Sequence, residues 1–135
     1  MSFPDFLIAV ALVSAGAVVG TPLRVLVSSF VGHHLGEIFP WGILVVNVTG
    51  CLMMGALIAY VQAHGLAATY ELWLLASVGF LGSYTTASSF ALQTLTLIHD
   101  KRVHLAVAYV VASAAFGLAA AGAGYELVHP MMGAR

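Results

Sequence analysis

Charged residues are so scarce in this 135-residue chain that each can be named, and their placement leaves four long stretches without any charge. The cations are Arg24, Lys101, Arg102 and Arg135; the anions are Asp5, Glu37, Glu71, Asp100 and Glu126. Between them run Phe6 to Leu23, Ile38 to Ala63, Leu72 to Ile98 and Leu105 to Tyr125. A helix crosses the hydrocarbon core of a bilayer with about 20 apolar residues, so each stretch can span it. A water-facing domain carries roughly a quarter of its residues as charges. Here the share is 7%, which leaves the bilayer as the solvent. The expected fold is an all-α membrane protein of four transmembrane helices, forming a single domain over residues 1–135 with both termini on one side.

The N-terminus has no basic segment, and its first apolar stretch is too long for the core of a secretory signal. Cys51 is the only cysteine, so no intrachain disulfide can form, and a small apolar role within helix two suits it. The Lys and Arg residues divide three to one between the two sides, counting Arg24 with the loop after helix one. That bias is slight against the excess that normally fixes cytoplasmic loops. Two outcomes stay open: a fixed topology set by Lys101 and Arg102, or insertion both ways with pairing as an antiparallel dimer.

Small residues recur at helix-contact spacing. Helix one carries Gly16 and Gly20, helix two Gly50, Gly55 and Ala59, and helix four a run from Ala119 to Gly124. In lipid, helices associate by close backbone packing rather than by expelling water, so such faces predict burial against protein and oligomerisation. Helix three is different. Its 27 uncharged residues would reach about 40 Å, and at its centre two glycines precede six hydroxyl residues within seven positions, Ser83 to Ser89. Either the helix is tilted, with hydroxyls bonding back to its own backbone, or it is broken near the membrane midplane, where broken helices place ion sites.

No enzymatic signature is present: there is no HExxH, no phosphate-binding glycine loop, and the histidine spacing fits no zinc pattern. What remains is a set of neutral hydrogen-bonding groups at membrane depth. They are Asn47, Gln93, and the pair Tyr109 and Ser113 four residues apart. Amide and hydroxyl donors without an acidic ring suit a small anion, whereas cation pores favour carbonyl or carboxylate rings. Asn47 could equally serve as interhelical glue. Arg24 could concentrate anions at a vestibule near the end of helix one, or snorkel to the interface.

Two segments resemble signatures of the Fluc/CrcB family of fluoride channels. Residues Trp41 to Gly55, WGILVVNVTGCLMMG, resemble its helix-two pattern, and Gly79 to Phe90, GFLGSYTTASSF, its helix-three signature. Gly20-Thr21-Pro22-Leu23-Arg24 and Ala108-Tyr109 with Ser113 fit helices one and four. The resemblance implies a passive fluoride exporter in the cell's inner membrane, built as a dual-topology antiparallel dimer with two pores. It also implies a structural sodium ion at the dimer centre, held by the backbone carbonyls of Gly82 and Thr85. Asn47, Ser88, Phe90, Tyr109, Ser113 and Arg24 would line or support the fluoride path. Three positions depart from the family pattern: Ala87 where a pore phenylalanine is expected, Ile43 for threonine, and Gln93 for glutamate. Fluoride, lipid and a second chain are the expected partners, and nucleic acid is not. The second chain is an identical copy or, given Ala87, another family member, in which case this chain conducts poorly alone. A small multidrug exporter is disfavoured because helix one holds no acid after Asp5.

Overall fold

The computed structural model describes residues 2–36 and 38–132; Glu37 and Arg135, both counted above, lie outside the described residues. Among the described residues the chain is helical throughout, with no strand. Helix α1 spans Phe3–Leu35 and α2 spans Trp41–His64. The third membrane segment is composite: α3 (Tyr70–Leu72) runs into a π-helix, π1 (Trp73–Leu81), then a turn of α-helix, α4 (Gly82–Tyr84). Thr85 and Thr86 are extended, with φ/ψ of −78°/160° and −151°/117°, and helix resumes as α5 (Ala87–His99). Helix α6 spans Val103–Met132. Three helices, α1, α2 and α6, are each long and apolar enough to cross a membrane without interruption.

The first helix overruns its predicted end. Arg24 does not lie near the end of helix one but two thirds of the way along it, because α1 continues through Pro22 and Arg24 to Leu35. A single charge does not interrupt the backbone hydrogen-bond ladder. The helix stops at Gly36, whose φ of +92° favours glycine and whose amide closes back onto Gly32. Helix α6 likewise runs past Tyr125, where its uncharged stretch ends, and takes in His129.

The glycines explain how these helices pack. A Cβ on Gly16 would strike the Leu75 carbonyl, and one on Gly20 the Phe80 carbonyl and the Ser83 hydroxyl. A Cβ on Gly79 would sit 2.6 Å from the Val13 oxygen, so α1 and π1 touch backbone to backbone. On the other side, Gly55 of α2 faces the Ala121 carbonyl of α6, and Gly124 of α6 faces the Leu52 carbonyl of α2. Gly42 closes the remaining contact, against Ser28 of α1. The first helix is thus bound to the third and α2 to α6 by absent side chains, as helix association in lipid requires. Ala114, Ala115, Ala119, Gly122 and Ala123 stay exposed on α6.

The turn between α5 and α6 has an unusual residue. The Arg102 amide bonds the Leu97 carbonyl and the Lys101 amide bonds that of Ile98, a pairing that places Lys101 at the left-handed position, φ 60°. The corresponding residues of the other two turns are glycines, Gly36 and Gly65. Left-handed backbone costs an L-residue about 1–2 kcal/mol, part of which glycine loses to unfolded-state entropy. Lys101→Gly is therefore expected to stabilise the chain by about 0.5–1 kcal/mol, read as a higher melting temperature in detergent.

Candidate functional site

The extended residues Thr85 and Thr86 leave helical hydrogen bonds unmade, and side chains meet those of Thr86 and the Ser89 amide. Asn47, mid-way along α2, accepts from the Thr86 amide through Oδ1 at 2.9 Å and donates from Nδ2 to the Thr86 carbonyl at 3.2 Å. The Thr86 hydroxyl caps α5, accepting from the Ser89 amide at 3.1 Å and meeting the hydroxyls of Ser88 and Ser89, each at 3.1 Å. On the far side of α2, the hydroxyls of Thr49 and Tyr84 meet at 2.9 Å. Gly50 makes room for the Thr85 methyl, since any Cβ there would overlap it. Helix two is thus fitted to the extended residues by Asn47, Thr49 and Gly50.

Around this junction opens a groove of about 530 Å³, whose walls include Asn47, Gly82, Thr85, Ala87, Phe90 and Ser113. Six of the residues singled out in the sequence, from α2, the third segment and α6, are brought together there. Ala87 and Phe90 share its wall, as their spacing of three predicts. The Ser113 hydroxyl has no partner among the described residues although the atom is enclosed. The amides that would close onto the Gly82 carbonyl are engaged elsewhere: Thr85's donates to Leu81 and Thr86's to Asn47. Neither amide takes that carbonyl, and Gly82 lines the groove.

Tyr109 does not line this groove. It is fully buried behind Phe90, with ring centroids 5.2 Å apart, and its hydroxyl donates to Gln93 Oε1 at 3.2 Å. Gln93 belongs to a second groove of about 450 Å³ at the end of the molecule that carries the 36–40 and 100–102 turns. Ile43, Trp41, Asp100 and Arg102 also line it. Ser88 is exposed and lines neither groove, and Arg24, half-buried on α1, lines neither.

Thr86 is the residue that the sequence reading missed. Its signal was local: a threonine three residues before Ser89, just ahead of an apolar run, is an N-cap pattern. Its tie to Asn47, 39 residues away, has no local signal.

A family profile described as "CrcB-like protein, Camphor Resistance (CrcB)" matches residues 11–125. The chain is 43% identical over 114 residues to "Fluoride-specific ion channel FluC 2" of Rhodopseudomonas palustris (strain BisB18), covering 84% of this chain and 87% of that one. It is 37% identical over 123 residues to "Fluoride-specific ion channel FluC" of Rhizobium meliloti (strain 1021), covering 91% and 98%. A Streptomyces avermitilis protein, "Fluoride-specific ion channel FluC 1", is 43% identical over 113 residues, covering 84% and 90%.

Proposed function

This chain belongs to the CrcB-like family of fluoride channels, and on that premise we propose that it carries fluoride passively across the cell's inner membrane as an antiparallel pair of copies with two pores. It is a multi-pass membrane protein of a channel family, not an enzyme. The observation that carries the proposal is the groove holding Asn47, Thr85, Phe90 and Ser113 within segments built for lipid. Polar groups at that depth are costly against acyl chains, so a second chain or ions and water must meet them. A small anion suits the hydroxyl of Ser113, the second N–H of the Asn47 amide and the positive edge of Phe90.

The spread of charge supports the antiparallel arrangement: in the sequence the 36–40 and 100–102 turns carry Lys101 and Arg102 against Glu37 and Asp100, a sum of zero, so that end lacks the strong cationic excess that fixes a single topology. The Gly82 and Thr85 carbonyls fit a structural sodium ion at the pair's centre, because hard cations take oxygen ligands and two copies would supply four such oxygens. Bound there, the ion would supply positive charge to the carbonyl dipoles at the α4 end. Asn47 holds Thr86, and through it the chain that presents those oxygens.

Liposomes loaded with fluoride or chloride and holding only this protein test the reading. Fluoride is expected to leave and chloride to stay; equal release of both would overturn it. Ala87 offers no ring beside Phe90, which favours one second reading, pairing with another family member that supplies a phenylalanine. Fluoride release that appears only when such a member is added would establish it. Ala87 is exposed on the groove, so a ring has room there. Ala87→Phe is expected to raise fluoride flux about 2- to 10-fold, matching about 0.5–1.5 kcal/mol for one aromatic contact. Lower flux together with lower thermal stability would show that the second chain packs on this position instead.

A further inference from the structure

Tyr84 ends α4, one residue before the extended pair, and only 3% of it is exposed. A buried phenol carries a hydrogen that must find its acceptor within the protein. Its hydroxyl lies 2.9 Å from that of Thr49 on α2, 35 residues back. The direction of this bond follows from counting hydrogens. The single hydroxyl hydrogen of Thr49 has two backbone acceptors on its own helix, the Val45 carbonyl at 2.7 Å and the Val46 carbonyl at 3.1 Å. Given to either, it leaves the Thr49 oxygen to accept from Tyr84. Turned toward Tyr84 instead, it would leave the phenol hydrogen with no acceptor among the described residues. Every hydrogen is met only if Tyr84 donates to Thr49 and Thr49 donates to the α2 backbone.

Three consecutive residues at the break are thus each fitted to a different residue of α2. Thr49 holds Tyr84, Gly50 admits the Thr85 methyl, and Asn47 holds Thr86. The Cβ that Gly50 lacks would also lie 3.6 Å from Tyr84 Cδ1, so the tyrosine ring packs directly on α2. The Tyr84 ring stacks on that of Phe80, with centroids 5.7 Å apart and planes 6° apart. The Phe80 backbone is in turn what Gly16 and Gly20 of α1 close upon. Tyr84 therefore links the part of the third segment bound to α1 with the part bound to α2. It does so from outside the central groove, which neither Tyr84 nor Thr49 lines. Thr49 lies instead on an apolar surface of α2 and α6, among Leu44, Val48 and Phe116.

We propose that Tyr84 and Thr49 are a positioning pair, which fixes the Gly82–Thr85 backbone from behind the groove and so sets how tightly its carbonyls hold a sodium ion. The proposal rests on the sodium part of the function given above. Gly82 opens α4 and Thr85 follows its last residue, so the two carbonyls bracket Tyr84. Backbone that is loose before an ion binds must be ordered as it binds, and that lost freedom weakens affinity. A tether that has already stilled the backbone removes this cost without touching the ion. The tether is one neutral hydrogen bond between hydroxyls, so it tunes the site rather than creating it.

The test is the melting temperature of the detergent-solubilised protein, dialysed into choline chloride and then titrated with sodium chloride at constant ionic strength. A ligand of the folded state raises that temperature once its concentration passes the dissociation constant, so the onset of the rise reports affinity. Tyr84→Phe keeps the ring and its stacking and removes only the donor. It is expected to move the onset to about 3- to 10-fold higher sodium. Thr49→Val should do the same, and the two changes together should move it no further than the larger single one, as for two ends of one bond. A pair that merely braced the fold would lower the melting temperature equally at every sodium concentration; an onset that neither variant moves overturns the proposal. Shifts that multiply in the double variant overturn the pairing. Absence of any sodium-dependent rise in the unaltered protein would instead overturn the sodium reading, and the pair's role with it.

Discussion

Asn47→Leu is expected to lower fluoride flux at least tenfold and to loosen the third segment at the same time. Leucine has the branching of asparagine but makes neither bond to Thr86, so the amide of a residue 6% exposed loses its partner and the Thr86 carbonyl, at the start of α5, loses one of its donors. An unmet buried amide costs about 1–3 kcal/mol, a large share of the margin of stability of many folds. If Asn47 acted only on the passing anion, flux would fall while the melting temperature held. Because its amide is committed to Thr86, both should fall. Asn47→Asp separates the contributions: it keeps an acceptor for the Thr86 amide but turns a second oxygen toward the Thr86 carbonyl, so an intermediate melting temperature is expected. Normal flux in Asn47→Leu would remove Asn47 from both roles.

The second large effect lies in the contact between α2 and α6. A Cβ added to Gly124 would overlap the Leu52 carbonyl oxygen, with the Leu52 carbonyl carbon at 2.9 Å and the Ala56 amide at 3.1 Å. These are backbone atoms, which cannot swing aside as a side-chain tip can. Gly124→Val therefore forces the helices apart, and overpacking of about 1–3 kcal/mol is a lower bound when a whole helix must move. Loss of the folded chain in detergent is expected, seen as aggregation on size exclusion. Gly122→Val is the control, two residues away on the same helix, because nothing lies within 4 Å of its added Cβ. It should leave stability within about 0.5 kcal/mol. Equal damage from both would trace the cost to helix propensity rather than to the contact.

The membrane class and the helical fold were legible because they rest on composition and run length, which single residues cannot overturn. Boundaries were less so. Arg24 looked like the end of helix one, but a charge shows where a side chain prefers water, not where a backbone stops. The true stop, Gly36, is visible only as a cap. Site residues were legible as an inventory: Asn47, Gly82, Thr85, Ala87, Phe90 and Ser113 share one groove. Their connections were not. That Asn47 grips Thr86, that Tyr109 turns to Gln93 behind the groove, and that Arg24 and Ser88 stand outside it all depend on how helices meet. The resemblance to a family supplied residue roles but no partners for their hydrogen bonds.

Where α1 crosses π1, the Cβ that Gly79 lacks would lie 3.1 Å from the Cα of Gly16. In an ordinary core, a residue that grows can be forgiven by a neighbour that shrinks, and sequences wander through such exchanges. Here both neighbours already stand at the smallest size the genetic code allows. Neither can yield to the other, so an enlargement on one side has no second-site remedy across the contact. The crossing is a dead end for compensated change, and the lineage can keep it or lose it but cannot trade it.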